Sequence, residues 1–178
     1  EGVKELRGAD YTIIPDRIEA GTYMIAAAMT GGDVIIDNVL PEHQKPLIAK
    51  LREAGAIVEE DIDKVRVIGT GSLKGVSVKT LPYPGFPTDM QAQIMAMMVV
   101  SEGNSRVTET VFENRFMHVA ELNRMGAKIT TADRSANIEG PAKLVGCDVR
   151  ATDLRAGAAM ILAGLVAEGE TRIGDLFH

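Results

Sequence analysis

Residues 87–111 read PTDMQAQIMAMMVVSEGNSRVTETV, and the run from Ile94 to Val100 within them carries no charge. A helix without a polar face has no side to turn to water, so it must be buried all round. Helices of small α/β proteins normally coat the outside of a sheet. This stretch instead predicts helices packed inside, with sheets as the outer walls.

The same plan recurs on both sides of it. Residues 15–39 read PDRIEAGTYMIAAAMTGGDVIIDNV and residues 151–177 read ATDLRAGAAMILAGLVAEGETRIGDLF. Each copy has an acid near its start, Ala one turn later, an apolar run, a glycine, and an alternating strand-like tail, which is the signature of an internal repeat. Asp16, Asp89 after Thr88, and Asp153 after Thr152 fall at helix starts, where a carboxylate can accept from free backbone N–H groups. Gly31, Gly103 and Gly169 are the expected helix stops. After the first two copies come amphipathic helices, PEHQKPLIAKLREAGAIV (41–58) and ENRFMHVAELNRMGAKIT (113–130). Leu47, Ile48, Leu51 and Ala54 share one stripe, as do Val119, Leu122 and Met125.

The chain thus reads as α+β, built of strand, buried helix, strand, surface helix and closing strands. The three pseudo-repeats cover about 10–80, 81–145 and 146–178. The third stops at His178 before its surface helix, and the start at Glu1 is abrupt, so the expectation is one incomplete domain cut from a longer protein.

Composition bounds the function. Of 178 residues, 46% are apolar and 25% charged, as in ordinary folded proteins. A net charge of -6 argues against a nucleic-acid partner, because phosphate binding over a wide face needs clustered Lys and Arg. The single cysteine, Cys147, permits no internal disulfide, and no apolar stretch reaches the ~20 residues that span a bilayer. A cytoplasmic protein with no membrane partner is expected. His43, His118 and His178 lack metal-ligand spacing, the methionines read as core, and no phosphate loop GxxxxGK[ST] occurs. No metal and no cofactor is therefore expected.

The strings PDRIEAGTY, PGFPTDMQAQ, TETVFENRFMHVAEL, RMGA and ATDLRAGAAMILAGLVAEGETRI resemble the second half of the UDP-N-acetylglucosamine 1-carboxyvinyltransferases (enolpyruvyl transferases) over essentially the whole chain. The resemblance implies an inverse barrel of buried parallel helices ringed by sheets, lacking the partner domain that bears a cysteine loop. It implies transfer of enolpyruvyl from phosphoenolpyruvate to the 3-hydroxyl of UDP-N-acetylglucosamine with release of phosphate, the first committed step of peptidoglycan synthesis. The isolated chain would be inactive. A 3-phosphoshikimate 1-carboxyvinyltransferase-type enzyme and a non-catalytic sugar-nucleotide binding module remain the alternatives.

Such chemistry needs a base near the sugar hydroxyl and cations for carboxylate and phosphate. Asp89, matching the family's TDM aspartate after the turn Tyr83-Pro84-Gly85-Phe86-Pro87, is the implied base and hydroxyl ligand; a helix cap is its other reading. Val111 and Phe112, taken as the end of the strand, are implied substrate contacts, with a core role open for Val111. Arg115, placed in the first turn of the surface helix, needs an anion, either substrate or Glu113. Asp153 with Arg155, and Asp16 with Arg17, would join them if the helices are parallel; three unrelated caps are the alternative. Cys147 is not the family's catalytic cysteine and is expected as a small buried filler.

Overall fold

A computed structural model describes residues 2–177, so Glu1 and His178, and any reading placed on them, lie outside the described residues. In chain order the elements are α1 (Arg17–Thr30), β1 (Asp33–Asp37), α2 (Pro41–Ala54), β2 (Ile57–Glu60), β3 (Lys64–Ile68) and β4 (Ser77–Lys79). A 3-10 turn (Thr88–Met90) leads into α3 (Gln91–Val100) and β5 (Gly103–Thr108). Then follow α4 (His118–Arg124), β6 (Ile129–Ala132), β7 (Ser135–Gly140), β8 (Asp148–Arg150), α5 (Leu154–Val166) and β9 (Arg172–Gly174).

The strands form three walls. β1, β3 and β2 make an antiparallel sheet in the order β1-β3-β2, the second sheet runs β4-β5-β7-β6 with β4 and β5 parallel, and β8 pairs with β9 in parallel. β4 lies inside the bounds read for the first repeat, yet it pairs with the strand that follows α3. Inside the walls α3 packs against both α1 and α5. Every α3 residue from Gln91 to Val99 is buried, as its lack of charge requires.

The flanking helices depart from the expectation of burial on all sides. Tyr23 on α1 is 58% exposed, and Ile161 and Leu165 on α5 are 52% and 59% exposed. These side chains flank an apolar groove between α1 and α5. The amphipathic helices cover the other seams. α2 packs on α1, where Gly21 lets Leu47 and Met90 approach, and α4 packs on α5 and, through His118 beside Met95, on α3. The stripes anticipated on both are buried: Leu47, Ile48, Leu51 and Ala54 on α2, and Val119, Leu122 and Met125 along α4. α4 is shorter than its sequence suggests, beginning at His118 rather than in the 113–115 region.

Of the three expected glycine stops, only Gly31 caps its helix, with φ 70° and its N–H on the Ala27 carbonyl. α3 and α5 end at Val100 and Val166, so Gly103 instead opens β5 and Gly169 lies in the connection from α5 to β9. A glycine also sets the fit between sheet and buried helix. A Cβ on Gly140, the last residue of β7, would stand 2.1 Å from the Ser101 carbonyl oxygen and 3.1 Å from those of Met98 and Val99. Backbone cannot swing aside as a side chain can. Gly140→Ala is expected to cost roughly 1–3 kcal/mol of overpacking strain, measured as a lower denaturant midpoint of the full-length protein; an unchanged midpoint would contradict this packing.

Candidate active site

The starts of α1, α3 and α5 lie close together: Asp16 and Asp89 line one concavity, and Arg155 reaches Asp89. Asp16 accepts from the backbone N–H of Ile18 (2.7 Å) and Glu19 (3.3 Å), and Asp153 from Arg155 and Ala156 (both 2.8 Å), so both are the caps that the sequence suggests. Asp89 is different. The 3-10 turn places it one residue before Met90, which precedes α3, and no side chain caps that helix. Freed from capping, its carboxylate takes two arginines: Arg115 Nη2 stands 2.8 Å from Oδ1 and Arg155 Nη2 3.0 Å from Oδ2.

Burial, the largest single influence on the Asp89 carboxyl, raises its pKa. The Arg115 hydrogen bond, the charges of Arg155 and Arg115, and the Arg155 hydrogen bond together outweigh it and hold the group below the usual carboxylate range. At neutral pH Asp89 is a clamped anion between two cations.

Arg115 sits in the loop before α4, not in that helix, and its anion is Asp89; Glu113 pairs instead with Arg134 at 3.8 Å. Its Nη1 donates to Thr88 Oγ1 (2.8 Å), and its guanidinium lies 4.7 Å from the centre of the Phe112 ring. Val111 and Phe112 lie beyond the end of β5, in the turn after it, and are 42% and 49% exposed, so Val111 is not core. On the other side of Asp89, an open concavity of about 520 Å³ is lined by Asp16, Arg17, His43, Tyr83, Pro87 and Val111 among others. The Arg17 guanidinium stacks 5.2 Å from the Tyr83 ring centre, and His43 meets that ring edge-on at 6.1 Å.

The predicted residues are thus brought together around Asp89: Arg115 and Arg155 grip it, Val111 and Asp16 with Arg17 share its concavity, and Asp153 caps the helix that carries Arg155. Cys147 is half-buried at the edge of the core, not fully buried as expected, and lies apart from this cluster. Among the described residues no three His, Cys, Asp or Glu side chains gather as a metal site, and no helix is long and apolar enough to cross a membrane.

Two residues were missed. Glu109 is 1% exposed, and its carboxylate accepts from Thr80 and Thr88 hydroxyls and from the N–H groups of Val111 and Phe112. The period of two along the strand signals it, since Ser105 and Val107 are its buried predecessors. His118, 2% exposed, lies 3.3 Å by Nε2 from Met95 Sδ. Burial is the main cause of a pKa pushed down to about 4; the Asp153 carboxylate opposes that shift and the Arg115 charge adds to it.

A buried helix, α3, flanked by α1 and α5 and walled by sheets, with Asp89 and two arginines meeting beside its start, defines a protein of the enolpyruvyl transferase fold. The family pattern of EPSP synthase (3-phosphoshikimate 1-carboxyvinyltransferase) matches residues 1–178, and the chain belongs to that family. It is 62% identical over 178 residues to UDP-N-acetylglucosamine 1-carboxyvinyltransferase 1 of Caldanaerobacter subterraneus subsp. tengcongensis, and equally to UDP-N-acetylglucosamine 1-carboxyvinyltransferase of Halothermothrix orenii. All of this chain aligns in both cases, but it spans only 43% of the length of each relative. The enolpyruvyl transferase NikO from Streptomyces tendae superposes with a TM-score of 0.87 at 29% identity, covering 95% of this chain and 40% of that one. EPSP synthase from Acinetobacter baumannii shares the fold, with a TM-score of 0.71 at 19% identity over 92% of this chain and 39% of its own.

Proposed function

We propose that the full-length protein carrying this chain transfers the enolpyruvyl group of phosphoenolpyruvate to the 3-hydroxyl of UDP-N-acetylglucosamine, releasing phosphate, as the entry step to peptidoglycan in the cytoplasm. The observation that carries the reading is Asp89 held between Arg115 and Arg155, in a chain 62% identical throughout to relatives named for that activity. Asp89 serves as ligand of the sugar hydroxyl and as the base that takes its proton. Arg115 and Arg155 receive the anionic groups of phosphoenolpyruvate. An anion that draws on the same guanidinium N–H groups loosens their hold on Asp89 and raises its basicity as the substrates assemble. Val111 and Phe112 contact the sugar nucleotide from the turn, while Asp16, Arg17 and Asp153 shape the rim that faces a second domain of the same protein.

The domain itself is proposed to hold three related units. α2 and α4 each cover a seam of the helical core, and the apolar groove between α1 and α5 is the matching seat for a third covering helix from further chain. The isolated chain is proposed to be inactive, consistent with its spanning 43% of those relatives.

The test uses the full-length protein. Phosphate release is expected only when phosphoenolpyruvate and UDP-N-acetylglucosamine are both present, and the UDP-sugar is expected to raise the melting temperature. Protection by shikimate 3-phosphate without protection by the UDP-sugar would move the assignment to the shikimate-type reaction.

A further inference from the structure

We infer that Glu109 is a positioning residue for this site: its carboxylate fixes the turn bearing Val111 and Phe112 and, through the Thr88 hydroxyl, the orientation of Arg115 against Asp89. The inference rests on the site assignment proposed above and extends it to a residue that touches no substrate.

Glu109 is buried at the end of the second sheet with no cation bonded to it among the described residues; all four of its side-chain partners are neutral donors. Oε1 accepts from Thr80 Oγ1 (2.7 Å), Val111 N (2.8 Å) and Phe112 N (3.1 Å), and Oε2 accepts from Thr88 Oγ1 (2.9 Å). A hydroxyl has one proton to give. Thr88 gives its proton to Glu109, so what it turns towards Arg115 is a lone pair, and Arg115 Nη1 donates to it at 2.8 Å. The other end of that guanidinium reaches Asp89 at 2.8 Å, while its face lies over the Phe112 ring, whose backbone N–H returns to Glu109.

The contacts therefore close a ring from Glu109 through Thr88, Arg115 and Phe112 back to Glu109. Arg115 is held at one nitrogen and on its face by groups that one carboxylate orients. Thr80 extends the ring to the neighbouring strand, since its hydroxyl also accepts from Thr110 N at 2.9 Å. Burying a carboxylate among neutral donors is a costly way to finish a strand, and an apolar side chain would serve packing alone. A fully satisfied polar network does what packing cannot: it admits one arrangement of its members.

Glu109→Gln keeps the shape and the Oε1 acceptor but turns an N–H donor towards Thr88, which reverses the relay. In the full-length protein this change is expected to lower kcat/KM for enolpyruvyl transfer roughly 100-fold, the scale of a small misplacement at a reacting site, with little change in melting temperature. Thr88→Val, which cuts the relay but spares the Oε1 contacts, is expected to reproduce the loss, and the double variant to be no worse than either single one. A crystal structure of Glu109→Gln is expected to show the Arg115 guanidinium off Asp89. Wild-type kcat/KM in Glu109→Gln, losses that multiply in the double variant, or Arg115 unmoved in the crystal would each overturn the inference. The crystallographic result decides it even if the wild-type protein performs a different reaction, and Thr88→Val decides it if Glu109→Gln does not fold.

Discussion

Asp89→Asn in the full-length protein is expected to lower kcat for enolpyruvyl transfer by roughly 10²–10⁴-fold, the usual cost of removing a positioned general base. The change is nearly isosteric, so it leaves the turn and the helix start in place. It removes the carboxylate proposed to take the sugar hydroxyl proton while leaving Arg115 and Arg155 available to anions. The loss should therefore fall on kcat, with KM for phosphoenolpyruvate unchanged or lower, because the arginines no longer have an internal carboxylate to leave. A binding module without catalysis has no need of the carboxylate, so equal turnover in wild type and variant would favour that reading. The pH profile gives a second view of the same group. Because two arginines hold Asp89 below the ordinary carboxylate range, the acid limb of kcat/KM should lie low in the wild type. Arg115→Ala removes a cation that favours the anion, so Asp89 takes up a proton at higher pH and the limb moves upward. A limb that stays put would separate Asp89 from the titration that controls the rate.

The second large effect concerns stability. An unfolded histidine titrates near 6.5, whereas His118 in the folded domain is pushed down to about 4 by burial. From pH 6.5 down to 4 the unfolded chain therefore binds a proton that the folded one refuses, and each unit of acidification costs stability. Above pH 6.5 both forms are neutral and the contribution is flat. The integrated loss is roughly 3 kcal/mol across that window. Asp153 works against it by favouring the imidazolium, and Arg115 works with it. Carboxylates also begin to titrate near the lower bound, so the informative quantity is the difference between wild type and His118→Gln. Denaturant midpoints taken at several pH values should fall more steeply for the wild type. Parallel slopes for the two proteins would show that His118 is not held neutral.

Much of this protein is written in its local pattern. The absence of charge from Ile94 to Val100 is enough to bury α3, because nothing in that segment can face water. Asp16 and Asp153 are recognisable as caps because capping is a contact between near neighbours. The stripes on α2 and α4 are equally local. Charge content alone could not tell that α1 and α5 would keep Tyr23, Ile161 and Leu165 exposed, since an apolar face states only that it needs a cover and not where the cover stands.

The site divides in the same way. The sequence by itself singled out Asp89, Arg115 and Arg155 as candidates and placed acids at all three helix starts, but it put Arg115 inside α4 and Phe112 at the end of β5, where neither lies. Only the tertiary structure decided that one of those acids is not a cap: a 3-10 turn of three residues moves Asp89 off the helix end, and arginines 26 and 66 positions further along the chain close on it. It likewise made Glu109 a hub, through donors drawn from the end of β4, the 3-10 turn before α3 and the turn after β5. The physical reason is range. Capping and amphipathic burial are settled within a few residues, whereas the partners of a buried or clustered charge are whatever the folded chain brings within about 3 Å, the reach of a hydrogen bond.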